Sequence, residues 1–255
     1  MNISDFGTHK YRKYDYNFLN KVIVSFAFER PDNNTDIDER MESFSISQFG
    51  VQPPKGFFEV GTSLRRSDGH VAFLFGHQQA SVEIEGDEYS SFADTVIPLA
   101  YKLKMYVSEV VGIDIIKSAS IRKVNLWQFE YDKNVSEFDS DLARKIIFSD
   151  NYNDLTSNVD IKTKEVFRDQ KTHRWNENDN WLEIRSGFMD LGTDEKSLSS
   201  IALFLDSEGF ETLTKGIKIQ EVDDVLKSIN THLYNSYMWC VNEKVQKIME
   251  EGKEA

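Results

Sequence analysis

The chain contains one cysteine, Cys240, in 255 residues. A lone thiol excludes an intramolecular disulfide and any zinc site built from several cysteines. Cys240 sits on the apolar stripe of a helical pattern, so it reads as a small buried hydrophobe rather than a reactive group. Long apolar runs are also missing, since no stretch approaches the ~18 residues that suggest a membrane span. The first residues carry no signal-like pattern, and a cytoplasmic location without a membrane partner is expected. Positive charge is scarce: 30 Lys and Arg face 43 Asp and Glu, a formal net charge of −13. Such a field repels phosphate backbones and disfavours a broad nucleic-acid footprint, while it attracts a basic protein partner. HExxH, paired CxxC, GxSxG and the GxxxxGK phosphate loop are absent, and the glycines are scattered. No cofactor and no metal site is therefore expected.

Apolar residues make up 40% of the chain and aromatics 13%, enough for an ordered core. The dominant stretch is Glu221 to Glu251, where Val222, Val225, Leu226, Ile229, Leu233, Tyr237, Cys240, Val241 and Ile248 keep helical spacing. Acidic residues open it and Lys244 and Lys247 lie near its end, the order that the helix dipole prefers. At ~1.5 Å per residue such a helix runs ~45 Å, long enough to cross a sheet. Val22 to Phe28 alternates as a strand, and Ile121 to Tyr131 does the same. Phe57–Leu64, Val71–Gly76 and Ala80–Ile84 also read as strands, with Ser67-Asp68-Gly69 as a hairpin turn. Phe44, Ile46 and the Phe49 region suggest a further short strand.

A second helix is predicted from Tyr89 to Val110, ended by Gly112, with a kink or two pieces at Pro98. A short helix over Phe138–Phe148 and an exposed linker over Asp150–Asn158 follow. Strands are predicted near Lys164–Phe167, Trp181–Met189 and Ser199–Leu205, then a turn around Asp206–Gly209. The run Phe57 to Phe75 before the first long helix resembles Trp181 to Leu205 before the last. The expected fold is α+β: antiparallel sheet in two related strand-strand-helix halves, with the long C-terminal helix packed across the sheet. If the chain divides, residues 1–149 form one half and 159–255 the other, as separate domains or as one continuous domain.

Candidate chemistry is thin. Lys10, Arg12 and Lys13 interleave with Tyr11, Tyr14 and Tyr16 in the one basic-aromatic patch, read as a terminal arm on its own domain. Asp179 with Glu183-Ile184-Arg185 resembles a metal-nuclease carboxylate cluster with Arg in place of the usual Lys. Glu183 and Arg185, however, alternate with Leu182 and Ile184 as a half-exposed strand does, and Asp206 and Glu208 read as an acidic turn ending a strand. Arg168 and His173 have the Arg-four-residues-His spacing of the HEPN ribonucleases. That resemblance implies a phosphate-steadying Arg and a proton-handling His on one helix face.

Val22–Phe28, Ile121-Arg122-Lys123-Val124-Asn125 and Leu203-Phe204-Leu205-Asp206, with the helix carrying Leu226, Ile229, His232, Leu233 and Tyr237, together resemble a second group. It is an uncharacterised, sporadically distributed prokaryotic family of similar length, whose Arg-rich strand the second stretch parallels with departures at Lys123, Val124 and the residues just after Asn125. The resemblance implies an accessory protein of bacterial gene cassettes, of the defence or toxin-control type, with no catalytic residue to carry over and with Arg122 and Asn125 as candidate binding positions. Three functions are thus in view. The first is a non-enzymatic interaction protein that binds a partner protein through an acidic surface, which favours a basic partner. The second is a helix-grip ligand-binding body with a cavity under the C-terminal helix. The third is a HEPN-like ribonuclease using Arg168 and His173.

Overall fold

A computed structural model describes residues 1–9, 18–29, 36–53, 61–65, 69–132, 138–157, 170–193 and 198–251. The strands are β1 (Leu19–Ala27), β2 (Thr62–Arg65), β3 (Val71–Phe75), β4 (Gln79–Glu85), β5 (Ile115–Asp132), β6 (Lys171–Glu177), β7 (Asn180–Thr193) and β8 (Leu198–Lys218). They form one sheet in the order β2-β3-β4-β1-β5-β8-β7-β6, with every pairing antiparallel. The helices are α1 (Ile37–Phe49), α2 (Ile97–Met105), α3 (Ser140–Ile147), α4 (Asp150–Ser157), α5 (Val222–Cys240) and α6 (Glu243–Glu251).

The strand order reads the same from either edge. Each half runs strand, helix, three meandering strands, helix, and the halves meet where β1 pairs with β5. The two-halved α+β architecture expected from the sequence is what the chain adopts. By position in the sheet, β8 corresponds to β4. The echo in the sequence had instead matched Val71–Phe75, which is β3, to Ile201–Leu205 within β8.

Strand alternation sorts the two faces. In β1, Val22, Val24 and Phe26 are buried while Lys21, Ile23 and Ser25 keep partial exposure. Register then places Ile121 beside Val24 and Arg122 beside Ile23. The first set faces the helices: Phe44 of α1 meets Phe75 edgewise, and Tyr106, just beyond α2, lies tilted on Phe75 at 4.4 Å. Phe148 and Tyr152 continue that layer beside Trp127. Every such contact falls on one face, and no described helix packs on the other. No helix among the described residues is long and apolar enough to cross a membrane.

Several local expectations give way. Residues 37–49, where a strand through Phe44 was expected, form α1. Asp38 and Glu39 sit at its positive end, Met41, Phe44 and Ser45 make a buried stripe, and Gly50 closes it at φ 68°. Pro98 lies at the junction where the π-helical turn Phe92–Val96 passes into α2, and a second π-helical turn, Tyr106–Val111, carries the rod on to Gly112. The stretch predicted as an exposed linker is helical over 150–157, with Tyr152 buried and its hydroxyl donating to Ser186 Oγ at 3.0 Å. The C-terminal rod breaks at Val241–Asn242. Val241 turns extended and bridges Phe148, and Asn242 caps α6 by accepting from the Val245 N–H at 2.9 Å. The turn expected at Asp206–Gly209 is absent, because β8 continues through it to Lys218. The basic-aromatic patch at 10–16 and the strand at 164–167 lie outside the described residues, as do residues 57–60 of the strand predicted over 57–64.

Candidate functional site

The face of the sheet away from the helices carries an ordered charge network across β5, β8, β7 and β6. Register sets it up: Arg122 lies opposite Glu208, Arg185 opposite Asp206, and Glu183 between Glu208 and Arg174. The Arg122 guanidinium donates to both Asp206 oxygens, Nε at 2.8 Å and Nη2 at 2.7 Å. Arg185 spreads over three acids, with Glu183 at 2.6 Å, Glu208 at 3.0 Å and Asp206 at 3.3 Å. Arg174 completes the row on Glu183 at 2.9–3.0 Å.

Three guanidiniums thus hold three carboxylates in fixed orientation. Asp206 is only 5% exposed, so the fork geometry of Arg122 replaces the water it has lost. The hydrogen bonds that Arg122 donates to Asp206 lift the Arg122 pKa further, against the opposing effect of burial. Glu208 shifts upward, because its burial outweighs the pull of Arg185 and Arg122. Beyond the network, Trp181 and Phe210 stack at 5.0 Å, and the Arg174 guanidinium covers Trp181 at 4.3 Å. On the other half of the same face, Lys21 lies 3.6 Å from both Glu83 and Glu85. Leu74 and Met189 share this face and are exposed.

Of the two binding positions expected from the sequence, Arg122 is in the network. Asn125 is not: three residues on, it faces the helices, is buried, and its Nδ2 donates to Leu205 O at 3.4 Å. The HEPN arrangement requires a helix, whereas His173 lies on strand β6 with its ring 5.9 Å from Trp175. Burial and the neighbouring Lys171 depress the His173 pKa. Arg168 lies outside the described residues. Asp179 sits in the β6–β7 turn, apart from the Glu183 carboxylate row, and no group of described His, Cys, Asp or Glu is arranged to hold a metal.

Asp206 and Glu208, read from sequence as a strand-ending turn, are in mid-strand and supply two of the network's three acids. The signal was available in the period-two spacing of charges at Glu183/Arg185 and Asp206/Glu208, which marks one face of two strands. Under α5, Leu226, Ile229 and Leu233 are buried, and a Cβ built on Gly209 of β8 would stand 2.7 Å from Ile229 Cγ2. Helix and strand touch at that crossing. A cavity of 680 Å³ lies elsewhere, at the strand ends, lined by residues 113–117 and 212–216 with Glu29.

No protein-family model matches the chain, and no curated protein matches it. Among solved structures, Methanococcus jannaschii TBP aligns over 85% of this chain and 97% of that chain, at 12% identity and a TM-score of 0.26. A likeness that low carries no argument about fold or function.

Proposed function

We propose that this chain is a non-enzymatic interaction protein that docks a partner protein with a basic surface on the helix-free face of its sheet. The observation carrying this reading is the Arg122–Asp206–Arg185–Glu208–Glu183–Arg174 row, with exposed Leu74 and Met189 on the same face. Fixed charges of both signs and exposed apolar side chains on one sheet face suit register-specific protein contact. Because the row is close to neutral, attraction of a basic partner comes from the whole-chain charge of −13 acting at longer range. The resemblance to the cassette-associated family supports an accessory role beside such a partner, in defence or toxin control.

The test is association with the co-purifying partner measured for Leu74→Asp and Met189→Asp, with Tyr101→Asp and Leu142→Asp on the helical layer as controls. The sheet-face variants should weaken binding by about tenfold or more while the controls keep it. Wild-type affinity should also fall as salt rises. Loss in the helical-layer variants with retention in the sheet-face variants overturns the assignment.

A further inference from the structure

Lys123 lies at the middle of the sheet, on the helix-covered side of β5, with Val22 of β1 and Ser207 of β8 as its cross-strand neighbours. Its Nζ donates to Asn230 Oδ1 of α5 at 2.7 Å and stands 5.4 Å from the Tyr89 ring centroid. Both partners are uncharged, and no described carboxylate pairs with this ammonium. Ser207 is 2% exposed, and its Oγ has no hydrogen-bond partner. A buried hydroxyl left unpaired is costly and rare in a folded protein. Beside it stands an amine in low-dielectric surroundings that keeps a partial opening to solvent.

Burial without a counter-charge pushes the Lys123 pKa down to about 8, so roughly a tenth is free base at pH 7 and about half at pH 8. Desolvation of this kind is what makes a lysine nucleophilic towards carbonyl carbon. Directly opposed residues on neighbouring strands have Cβ atoms about 4.5–5.5 Å apart, so the Lys123 and Ser207 side chains leave the sheet side by side on the helix-covered face.

We propose that Lys123 is a Schiff-base-forming amine for a small aldehyde or ketone, with Ser207 as the positioning hydroxyl. The Nζ lone pair attacks the carbonyl carbon, and the carbonyl π electrons move to oxygen. Transfer of an amine proton to that oxygen gives the neutral carbinolamine. Loss of water, its second proton again from nitrogen, leaves the imine. Asn230 Oδ1 accepts an N–H of the amine and orients the lone pair, while Ser207 donates to the departing oxygen. No oxidant or reductant takes part, and the site is independent of the docking face on the opposite side of the sheet.

The test is reductive trapping of the full chain with acetaldehyde and cyanoborohydride at pH 8, read by peptide mapping. Lys117 and Lys227, both largely exposed, serve as internal references. Lys123 should be labelled at least about ten times faster than either, the advantage expected of an amine whose free-base fraction is raised. Ser207→Ala should slow labelling at Lys123 and leave Lys117 unchanged. Labelling of Lys123 no faster than Lys117 overturns the site, and an unchanged rate in Ser207→Ala overturns the role of the hydroxyl.

Discussion

Arg122 and Lys123 are consecutive, yet the strand pleat sends them to opposite faces and into opposite electrostatic situations. Arg122 meets the nearly buried Asp206 through two short hydrogen bonds. Truncating it leaves that carboxylate with only Arg185 at 3.3 Å. Arg122→Ala is therefore expected to lower unfolding stability by about 1.5–3 kcal/mol, discounted for the partial exposure of the Arg side chain, as measured by urea denaturation. Lys123 has no such partner. Its folded pKa lies below its ordinary value, so between about pH 8 and pH 10.5 the unfolded chain holds a proton that the folded one has released. Stability then rises with pH across that window, and the full burden of the buried charge is present below it. Lys123→Met should stabilise the protein at pH 7 by about 1–3 kcal/mol, with the gain shrinking as pH approaches 10.5. A gain that does not change with pH would show that packing, rather than charge, is responsible.

At the scale of elements, close backbone approach decides where side chains are forbidden. A Cβ on Gly86, just past the end of β4, would fall 1.8 Å from Leu19 O and 2.8 Å from Leu19 C. Backbone cannot step aside as a rotamer can, so Gly86→Ala should cost about 2 kcal/mol or more in the urea midpoint. Gly209→Ala meets side chains at closest range, Ile229 Cγ2 at 2.7 Å and Leu233 Cγ at 3.4 Å, with backbone no nearer than 3.7 Å, and should cost less. Periodicity in the sequence revealed β1, β5 and both long helices, because each buries one continuous stripe. It misassigned α1, whose buried Met41, Phe44 and Ser45 are interrupted by polar residues and whose Phe49 packs against Phe73 at 4.9 Å only in the assembled core. It also ended β8 early at Asp206. Two acids separated by one residue after an apolar run usually mark a turn, and only the arginines of β5 and β7 make Asp206 and Glu208 tolerable in mid-strand.

For the whole molecule, the chain's own residues determined the class of fold: two amphipathic rods, alternating strands and a repeated order of elements led to an antiparallel α+β protein in two halves. The aromatic content and the strong acidity were equally legible, since composition and charge are additive along the chain. The tertiary structure alone decided that β1 and β5 join the halves in a single sheet, that all described helices crowd one face, and that the other gathers six charged residues from four strands. It also decided that Arg122 and Asn125, three apart in sequence, lie on opposite sides, and that Lys123 comes to rest among neutral neighbours beside Ser207. Pairing partners separated by some eighty residues are set by register between strands, and a single chain read in order holds no local signal of which strand will lie beside which.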